Sequence, residues 1–576
     1  MPPCHINEIA QVGPIPSGQI IWHRYDQGSY TIVIFKSVCR EIALRNSLRI
    51  PGFAPDLREF KTLVGIKSIA DSRPQFKLGL LLAALTAALF GALVYLAVYS
   101  RGPWMDEFWS LYLSSPELST SDAFWTRWAL DVHPPLFSML LHLSQSALDL
   151  SIVTGRMLNT TPAALTALFF LTLALVDKSQ RKFLLVYSIL VLSCWAFIRY
   201  FPEFRSYFSA LCSFAILIAC LKRIDATEEP LSGINGTLVW AGFAASLAFC
   251  INLHYIVAFI TVVTVAVFGI GFALRRHWKL FWTLAVLGTL SVAPLLAFFI
   301  AQRQFLEHMA ETFWLNVGTL EALVLLSKFF LVIASGSAIA TLVALVRLPS
   351  IFMTGVRQSI ADDPEVRFAL MLIVAMVIAI AAVLVVNVER PIVQARYMLS
   401  LGLLQLALVA TLSSSLILQS RLLLGLVFLN SAVSILYQGH EVGSEKQWYS
   451  SAEIIKHQLA LCPASRVHPE RGEIFGDANY ANVKELAYHY TARHAGFPID
   501  DLDTPITASP AAQCPPIVWA EHYFDLEDRT DEDLREKILP SVGVNGTCAR
   551  SKVYRAESGV VIVLDPSEPG CMAPAG

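Results

Sequence analysis

Long apolar runs separated by short polar turns fill the middle of the chain. Residues 78–100 hold 23 positions without a charge, and a bilayer core needs about 20 apolar residues per helix. The pattern predicts eleven spans, at about 78–99, 157–176, 183–199, 205–221, 237–252, 255–274, 280–300, 320–346, 368–387, 398–417 and 422–437. One further run, PPLFSMLLHLSQSAL at 134–148, has 15 residues and includes Ser138, His142, Ser144 and Gln145. That is short for a crossing and suits a helix lying at the interface.

Composition agrees with the pattern. The 576 residues are 55% hydrophobic and 15% charged, less charge than a soluble domain of this size carries. A net charge of −2 gives no reason to expect nucleic acid. Residues 1–75 are mixed and polar, with no visible cleavable signal peptide and no assigned function. The fold class is therefore a polytopic α-helical membrane protein with about eleven spans.

Charge then fixes the orientation. With 134–148 not crossing, one set of loops holds Lys178, Arg181 and Lys182; Lys222 and Arg223; Arg275, Arg276 and Lys279; Arg347, Arg357 and Arg367; and Arg421. That set is cytoplasmic by the positive-inside rule. The N-terminus then lies inside, the transmembrane module covers 76–437, and the first outer loop covers 101–156. Residues 438–576 lie outside. In that tail, SAEIIKHQLAL and NVKELAYHYTARHA have helical spacing, while PPIVWAEHYF and GVVIVLD read as strands, so a small α/β domain is expected. Cys194, Cys212, Cys220 and Cys250 fall in apolar runs and read as buried hydrophobes. Cys462, Cys514, Cys548 and Cys571 fall in the tail and permit one or two disulfides, which requires an oxidising compartment.

Once the sides are assigned, ionisable residues collect at the outer boundary, where they are costly unless solvated, paired or used. The first outer loop opens RGPWMDEFWSLYLS, with Asp106 and Glu107 among aromatics, and continues to DVHPPL with Asp131 and His133. The next outer turn, RYFPEFRSYFS, carries Arg199, Glu203, Arg205 and Tyr207. NLHY brings His254 and Tyr255, RQFLEHMAETFWLN forms a longer loop near 303–316, and NVERPIVQARYML brings Glu389, Arg390, Arg396 and Tyr397. Each has an ordinary reading alone: a helix cap for Asp106, snorkelling end charges for Arg205 and Arg396, an interfacial belt for the tryptophans, a turn residue for His133, a satisfied boundary histidine for His254. The joint occurrence on one face points to chemistry. Transfer of a sugar from a lipid phosphate to a hydroxyl needs one carboxylate to take the acceptor proton. It also needs positive charge for a leaving group that is already anionic, and arginine fits that need. A hydrolytic glycosidase would want two opposed carboxyls. Adjacent helix positions such as Asp106 and Glu107 point about 100° apart and do not flank one bond.

These motifs resemble the GT-C superfamily of membrane glycosyltransferases, in the branch that contains protein O-mannosyltransferases and lipid A aminoarabinose transferases. The acidic DE, the HPPL about 25 residues later with its short amphipathic run, EFRSY, QARYML and EKQWYSSAEII at 445–455 carry the resemblance, over roughly 76–460. It implies an inverting transfer from a polyprenyl-phosphate sugar on the outer face of a bacterial inner membrane, with a periplasmic C-terminal domain. Asp106 would be the base, and Glu107 would support it or help bind the acceptor. His133, Arg205 and Arg396 would hold the lipid phosphate, with Tyr207 and Tyr397 as orienters. Glu203, His254 and Tyr255 are further substrate-binding candidates. The implied partners are membrane lipid, a polyprenyl-phosphate donor and a glycolipid or polysaccharide acceptor; no repeat domain of the kind that binds peptide is evident. No cofactor is identified, although Asp106, Glu107 and Glu203 could ligate Mg²⁺ or Mn²⁺ without any spacing that demands it. The sequons at Asn159, Asn235 and Asn545 keep an endoplasmic reticulum setting open.

Two rival readings make different demands. A transporter or flippase calls for acids or broken helices in mid-span, whereas the spans are nearly free of charge apart from Lys328. A non-catalytic scaffold leaves the Asp106, His133 and Arg396 set without a use.

Overall fold

A computed structural model describes residues 73–565, apart from 146–147, 228–232, 312–316, 354–362, 471–477, 503, 505, 507–513, 522–525, 527–528, 547 and 549. Of the N-terminal region 1–75, only its last three residues are included, and they open the first helix. From there to residue 444 the described chain is helical. Helix α1 (Arg73–Ser100) leads into an excursion of short helices: α2 (Met105–Ser114), α3 (Thr120–Thr126), α4 (Leu136–Ser144) and α5 (Ile152–Met157). The bundle resumes with α6 (Thr160–Val176), α7 (Arg181–Leu192), α8 (Trp195–Tyr200), α9 (Tyr207–Asp225), α10 (Gly233–Leu253), α11 (Tyr255–Leu274) and α12 (Trp278–Glu311). It ends with α13 (Thr319–Gly336), α14 (Ala338–Met353), α15 (Pro364–Glu389), α16 (Leu399–Ile417) and α17 (Arg421–Ser444).

Among the described residues, ten segments are long and apolar enough to cross a bilayer, with α5 and α6 counted as one. The protein is thus a multi-pass membrane protein. Helix α4, nine residues long, spans only about 14 Å and does not cross. Helices α9 and α16 form the centre, each with 78% of its apolar window buried. Helix α6 instead leaves Leu165, Leu168, Leu171 and Leu175 exposed, as a lipid-facing helix should.

Two expected spans are broken. The run 183–199 divides into α7 and α8 at Ser193–Cys194, and 320–346 divides into α13 and α14 at Ser337. The two breaks touch. A Cβ on Gly336 would lie 2.6 Å from the Ser193 carbonyl oxygen, so only glycine permits the approach. Backbone groups freed by a break must be satisfied within the protein at this depth, and α17 supplies the partners. Ser434 Oγ donates to the Ser193 carbonyl at 3.0 Å. Asn430 Nδ2 donates to the Ser335 carbonyl at 3.1 Å, and its Oδ1 accepts from Ile339 N–H at 3.2 Å.

The two ends of the bundle carry separate charge clusters. At one, Asp225 is buried against Arg275 (2.5 Å) and Arg367 (3.2 Å), and Asp177 pairs with Arg223. These residues end α9, α6 and α11 or begin α15, and so gather at one end of the bundle. The other end carries the α2–α5 excursion and the C-terminal α/β region. That region comprises α18 (Trp448–Leu461), β1 (Val467–Pro469), α19 (Ala478–Ala495), β2 (Ile517–Glu521), α20 (Asp531–Ile538), β3 (Lys552–Arg555) and β4 (Gly559–Val563).

The strand order is β1-β2-β4-β3, with β1 parallel to β2 and the other pairs antiparallel. Alternation along the strands divides the buried residues. Ile517, Trp519, Val561 and Val563 pack with α18 and α19, while Val518, Ala520, Val560 and Ile562 pack with Leu534 and Ile538 of α20. Cys462 and Cys514 form a disulfide, and Cys548 is disulfide-bonded as well. Cys194, Cys212, Cys220 and Cys250 are free and buried. The Asn159 sequon is closed to modification, because its buried amide donates to the carbonyls of Phe201 (2.8 Å) and Glu203 (2.7 Å).

Two measurements check this picture. Ser151→Cys, at the start of α5, should react with a membrane-impermeant maleimide in intact spheroplasts; reaction only after permeabilisation would reverse the orientation. Within the α/β region, burial lifts the Glu521 carboxyl to about 7 despite hydrogen bonds from Trp519 and Ser558 and the charge of Lys484. A carboxyl raised on folding stabilises the fold below its unfolded pKa, and that contribution is lost as pH rises through the folded value. Trp519 fluorescence should therefore show the region losing stability between about pH 5 and 8, with a flatter profile in Glu521→Gln. Parallel profiles would contradict the assignment.

Candidate active site

The site begins where α1 ends. Arg156 of α5 is 1% exposed and uses all five of its N–H groups. Its Nη1 donates to the carbonyls of Val98 (3.1 Å) and Arg101 (2.7 Å), which the helix end leaves open. Its Nη2 donates to the Gly102 carbonyl (3.0 Å) and to Glu107 Oε2 (2.6 Å), and its Nε to Glu107 Oε1 (2.7 Å). Glu107 accepts in addition from Phe204 N–H (2.8 Å) and Trp104 N–H (3.3 Å). It is fully buried. Its oxygens are thus occupied within the protein, and any support it gives Asp106 is structural, through the turn it holds.

Asp106, one position earlier on α2, faces the other way and is 29% exposed. Arg396 Nη1 reaches its Oδ2 at 3.1 Å, and Arg205 Nη2 stands 3.8 Å from the same oxygen. Arg205 Nη1 also donates to the Asp106 carbonyl (3.2 Å) and to Ser110 Oγ (3.3 Å). The Arg396 guanidinium lies over the rings of Trp104 (5.5 Å) and Tyr397 (5.2 Å), and Arg205 over Tyr207 (5.9 Å). Three residues that are 99 to 290 positions apart in sequence therefore meet at one carboxylate.

His133 stands behind Arg205. Arg205 Nη2 is 3.3 Å from His133 Nε2, and His133 Nδ1 is 3.4 Å from Asp131. An arginine can only donate, so Nε2 offers its lone pair and the ring proton sits on Nδ1, toward Asp131. Asp131 is held by Trp109 Nε1 (3.0 Å) and by Val132 N–H (2.9 Å). His133 thus stands within hydrogen-bond reach of Arg205.

His254 lies under the cluster, with its ring centroid 5.3 Å from those of His133, Tyr207 and Tyr397. Burial holds it well below its ordinary pKa, and the charges of His133, Arg205 and Arg396 push the same way. Its Nδ1 accepts from Ile256 N–H at 3.2 Å, so Nε2 carries the proton. His254 Nε2 and Arg205 Nε are buried and have no partner among the described residues.

The remaining candidates lie apart from Asp106. Glu203 pairs with Arg101 at 3.0 Å, and burial lifts it above the usual carboxylate range against the pull of Arg101 and Arg199. Tyr255 donates to Gln302, which in turn donates to the Asp131 and Trp128 carbonyls, so it braces the loop. The three carboxylates considered for a metal do not converge, and no group of three or more ligands gathers among the described residues. Of the 303–316 loop, residues 312–316 lie outside the described residues and the rest extends α12. A wide cleft of about 610 Å³ lies elsewhere, between α18 and β3, lined by Glu453, His457, Tyr554 and Arg555. Its arginine is already committed to Asp531 and to the carbonyls of Leu526 and Arg529.

The EKQWYSS segment is a latch between the bundle and the α/β region. Glu445 accepts from Arg101 Nε (3.0 Å) and from Arg199. Trp448 is buried with its ring 5.1 Å from that of Phe108. Gly102 passes so close that a Cβ would fall 1.7 Å from the Lys446 carbonyl oxygen. Reading the sequence gave no role to Arg156, Asp131 or Gln302. Arg156 had one signal: a lone arginine at the mouth of an apolar run, on the side that carries the acid pair.

No protein-family model and no curated protein matches the sequence. Two solved structures are similar over most of the chain: crystal structures of ArnT from Cupriavidus metallidurans, one bound to undecaprenyl phosphate and one in the apo state. Each is 11% identical, with TM-scores of 0.45 and 0.44. The matches cover 83% and 84% of this chain and 97% and 98% of the ArnT chains.

The two adjacent acids should behave oppositely on mutation. Glu107→Ala strands Arg156 in a buried site, which costs about 3–5 kcal/mol and should lower the melting temperature in detergent sharply. Asp106→Asn keeps an amide oxygen for Arg396 and changes a side chain that is 29% exposed, so it should lower the melting temperature less. Equal losses in the two variants would contradict this division.

Proposed function

We propose that the protein is an inverting glycosyltransferase that moves a sugar from a polyprenyl-phosphate donor to a hydroxyl of an envelope glycolipid, polysaccharide or protein. The proposed setting is the outer face of a bacterial inner membrane, with the α/β region periplasmic. The observation that carries this reading is the pairing of one part-exposed carboxylate, Asp106, with two arginines, Arg205 and Arg396, at the end of the bundle opposite the Asp225 cluster.

Chemically the set is sufficient. The acceptor oxygen attacks the anomeric carbon from the face opposite the phosphate, and the anomeric C–O bond to phosphate breaks. Polyprenyl phosphate departs with the bonding pair, and Asp106 takes the acceptor proton. Arg205 and Arg396 exchange part of their hold on Asp106 for the phosphate oxygens, where they stabilise the charge that builds up. The N–H groups of Arg205 Nε and His254 Nε2 are buried donors suited to the same anion. A neutral His254 gives a hydrogen bond without adding a third charge.

The broken helices bear on the transporter reading. Discontinuous spans serve ion sites when their carbonyls are open to a ligand. Here the Ser193 and Ser335 carbonyls are taken by Ser434 and Asn430, and no charged side chain joins the knot. That arrangement supports a structural use of the breaks.

In cells that lack the protein, mass spectrometry of envelope glycolipids and glycans should show the loss of one sugar. Wild type should restore it, and Asp106→Asn, expressed at equal level, should not. Restoration by Asp106→Asn would remove the base assignment. With purified protein in nanodiscs, Arg396→Ala should weaken undecaprenyl phosphate binding on the order of tenfold. Unchanged affinity would count against the phosphate role.

A further inference from the structure

The charged side of Asp106 is matched by an aromatic side that the proposed chemistry has not yet used. Trp109 lies one turn beyond Asp106 on α2, and residues three apart on a helix share a face. Its indole is fixed by the hydrogen bond to Asp131. Tyr480, at the start of α19 in the α/β region, brings its ring centroid to 6.5 Å from that of Trp109, and Tyr112 stands at 6.4 Å on the other side. All three rings are only partly buried. The row is locked across two parts of the chain: Tyr112 Oη donates to Asn479 Oδ1 at 2.8 Å, and Asn479 Nδ2 donates to the Thr126 carbonyl at 3.3 Å.

We propose that Trp109 and Tyr480 form the acceptor platform of this site, where a neutral pyranose ring lies with one hydroxyl directed at Asp106. This rests on the glycosyl-transfer reading above and adds the class of acceptor. A pyranose presents a face of C–H bonds that is apolar and slightly positive, and an aromatic ring offers a negative face to meet it. Charge sorts the two substrates. The phosphate belongs with Arg205 and Arg396, which meet Asp106 directly. On the aromatic side the nearby arginine, Arg127, is spent on the Tyr112 carbonyl, Glu117 and the Tyr112 ring. That arginine is therefore not open to an anionic sugar, and among the described residues an uncharged ring fits this side. Asp106 also raises the Tyr480 phenol from its ordinary pKa, after burial and together with Glu470, which places the ring within reach of the carboxylate's field. Tyr480 thereby gives the α/β region a direct part in specificity.

Saturation-transfer NMR on the full-length protein in nanodiscs tests this, with methyl β-D-glucopyranoside and methyl α-D-mannopyranoside as probes and undecaprenyl phosphate binding measured in parallel. Wild type should transfer saturation to the C–H protons of one sugar face. Tyr480→Leu, which keeps bulk without a π face, and Tyr480→Ala should each reduce that transfer about fivefold while undecaprenyl phosphate binds as before. Tyr480→Phe should retain the signal. Unchanged transfer in Tyr480→Leu, or no transfer to either glycoside in wild type that binds undecaprenyl phosphate, would overturn the platform and leave the donor reading standing. Failure of wild type to bind undecaprenyl phosphate would remove both.

Discussion

The arrangement depends on one buried ion pair, Arg156 with Glu107. A buried pair is stable only when its remaining hydrogen-bonding groups are satisfied, since the desolvation of two charges otherwise exceeds their attraction. Here the accounting is complete. Three arginine N–H groups take the carbonyls at the end of α1, two take the carboxylate, and the carboxylate takes two further backbone N–H groups. The pair therefore fixes the angle at which α2 leaves α1, and with it the direction of Asp106. It also ties in the turn before α9 through Phe204, one residue before Arg205. Acid and arginine are set by the same knot.

Around that knot the charged residues fall into two kinds. Arg101, Arg156, Glu107 and Glu203 are almost wholly buried and hold the junction. Asp106, Arg205 and Arg396 retain some access and meet at one oxygen. The latch at Glu445 and Trp448 brings the α/β region against the first loop, and Tyr480 of α19 meets Trp109, one turn beyond Asp106.

Much of this was legible in the sequence. Apolar run length located ten of the eleven expected spans among the described segments long enough to cross, while 183–199 is divided into two short helices. The runs SAEIIKHQLAL and NVKELAYHYTARHA fall within α18 and α19, and PPIVWAEHYF and GVVIVLD contain β2 and β4; β1 and β3, three and four residues long, were too short to register. The breaks at Ser193 and Ser337 were hidden, because they are compensated by Asn430 and Ser434 from more than 90 positions away. Helix geometry showed that Asp106 and Glu107 diverge, but not which of them faces inward. That choice is made by Arg156, 49 residues on. The resemblance set His133 beside the phosphate; its contact with Arg205 is visible only in three dimensions.

The central claim is that Arg205 and Arg396 hold a lipid phosphate beside Asp106. Electron cryo-microscopy of the protein in nanodiscs with undecaprenyl phosphate addresses it directly. The account predicts phosphate density in contact with both guanidinium groups, next to the Asp106 carboxylate and on the side away from Tyr480. Phosphate density elsewhere on the bundle, with the Asp106–Arg396 pair unchanged, would contradict it.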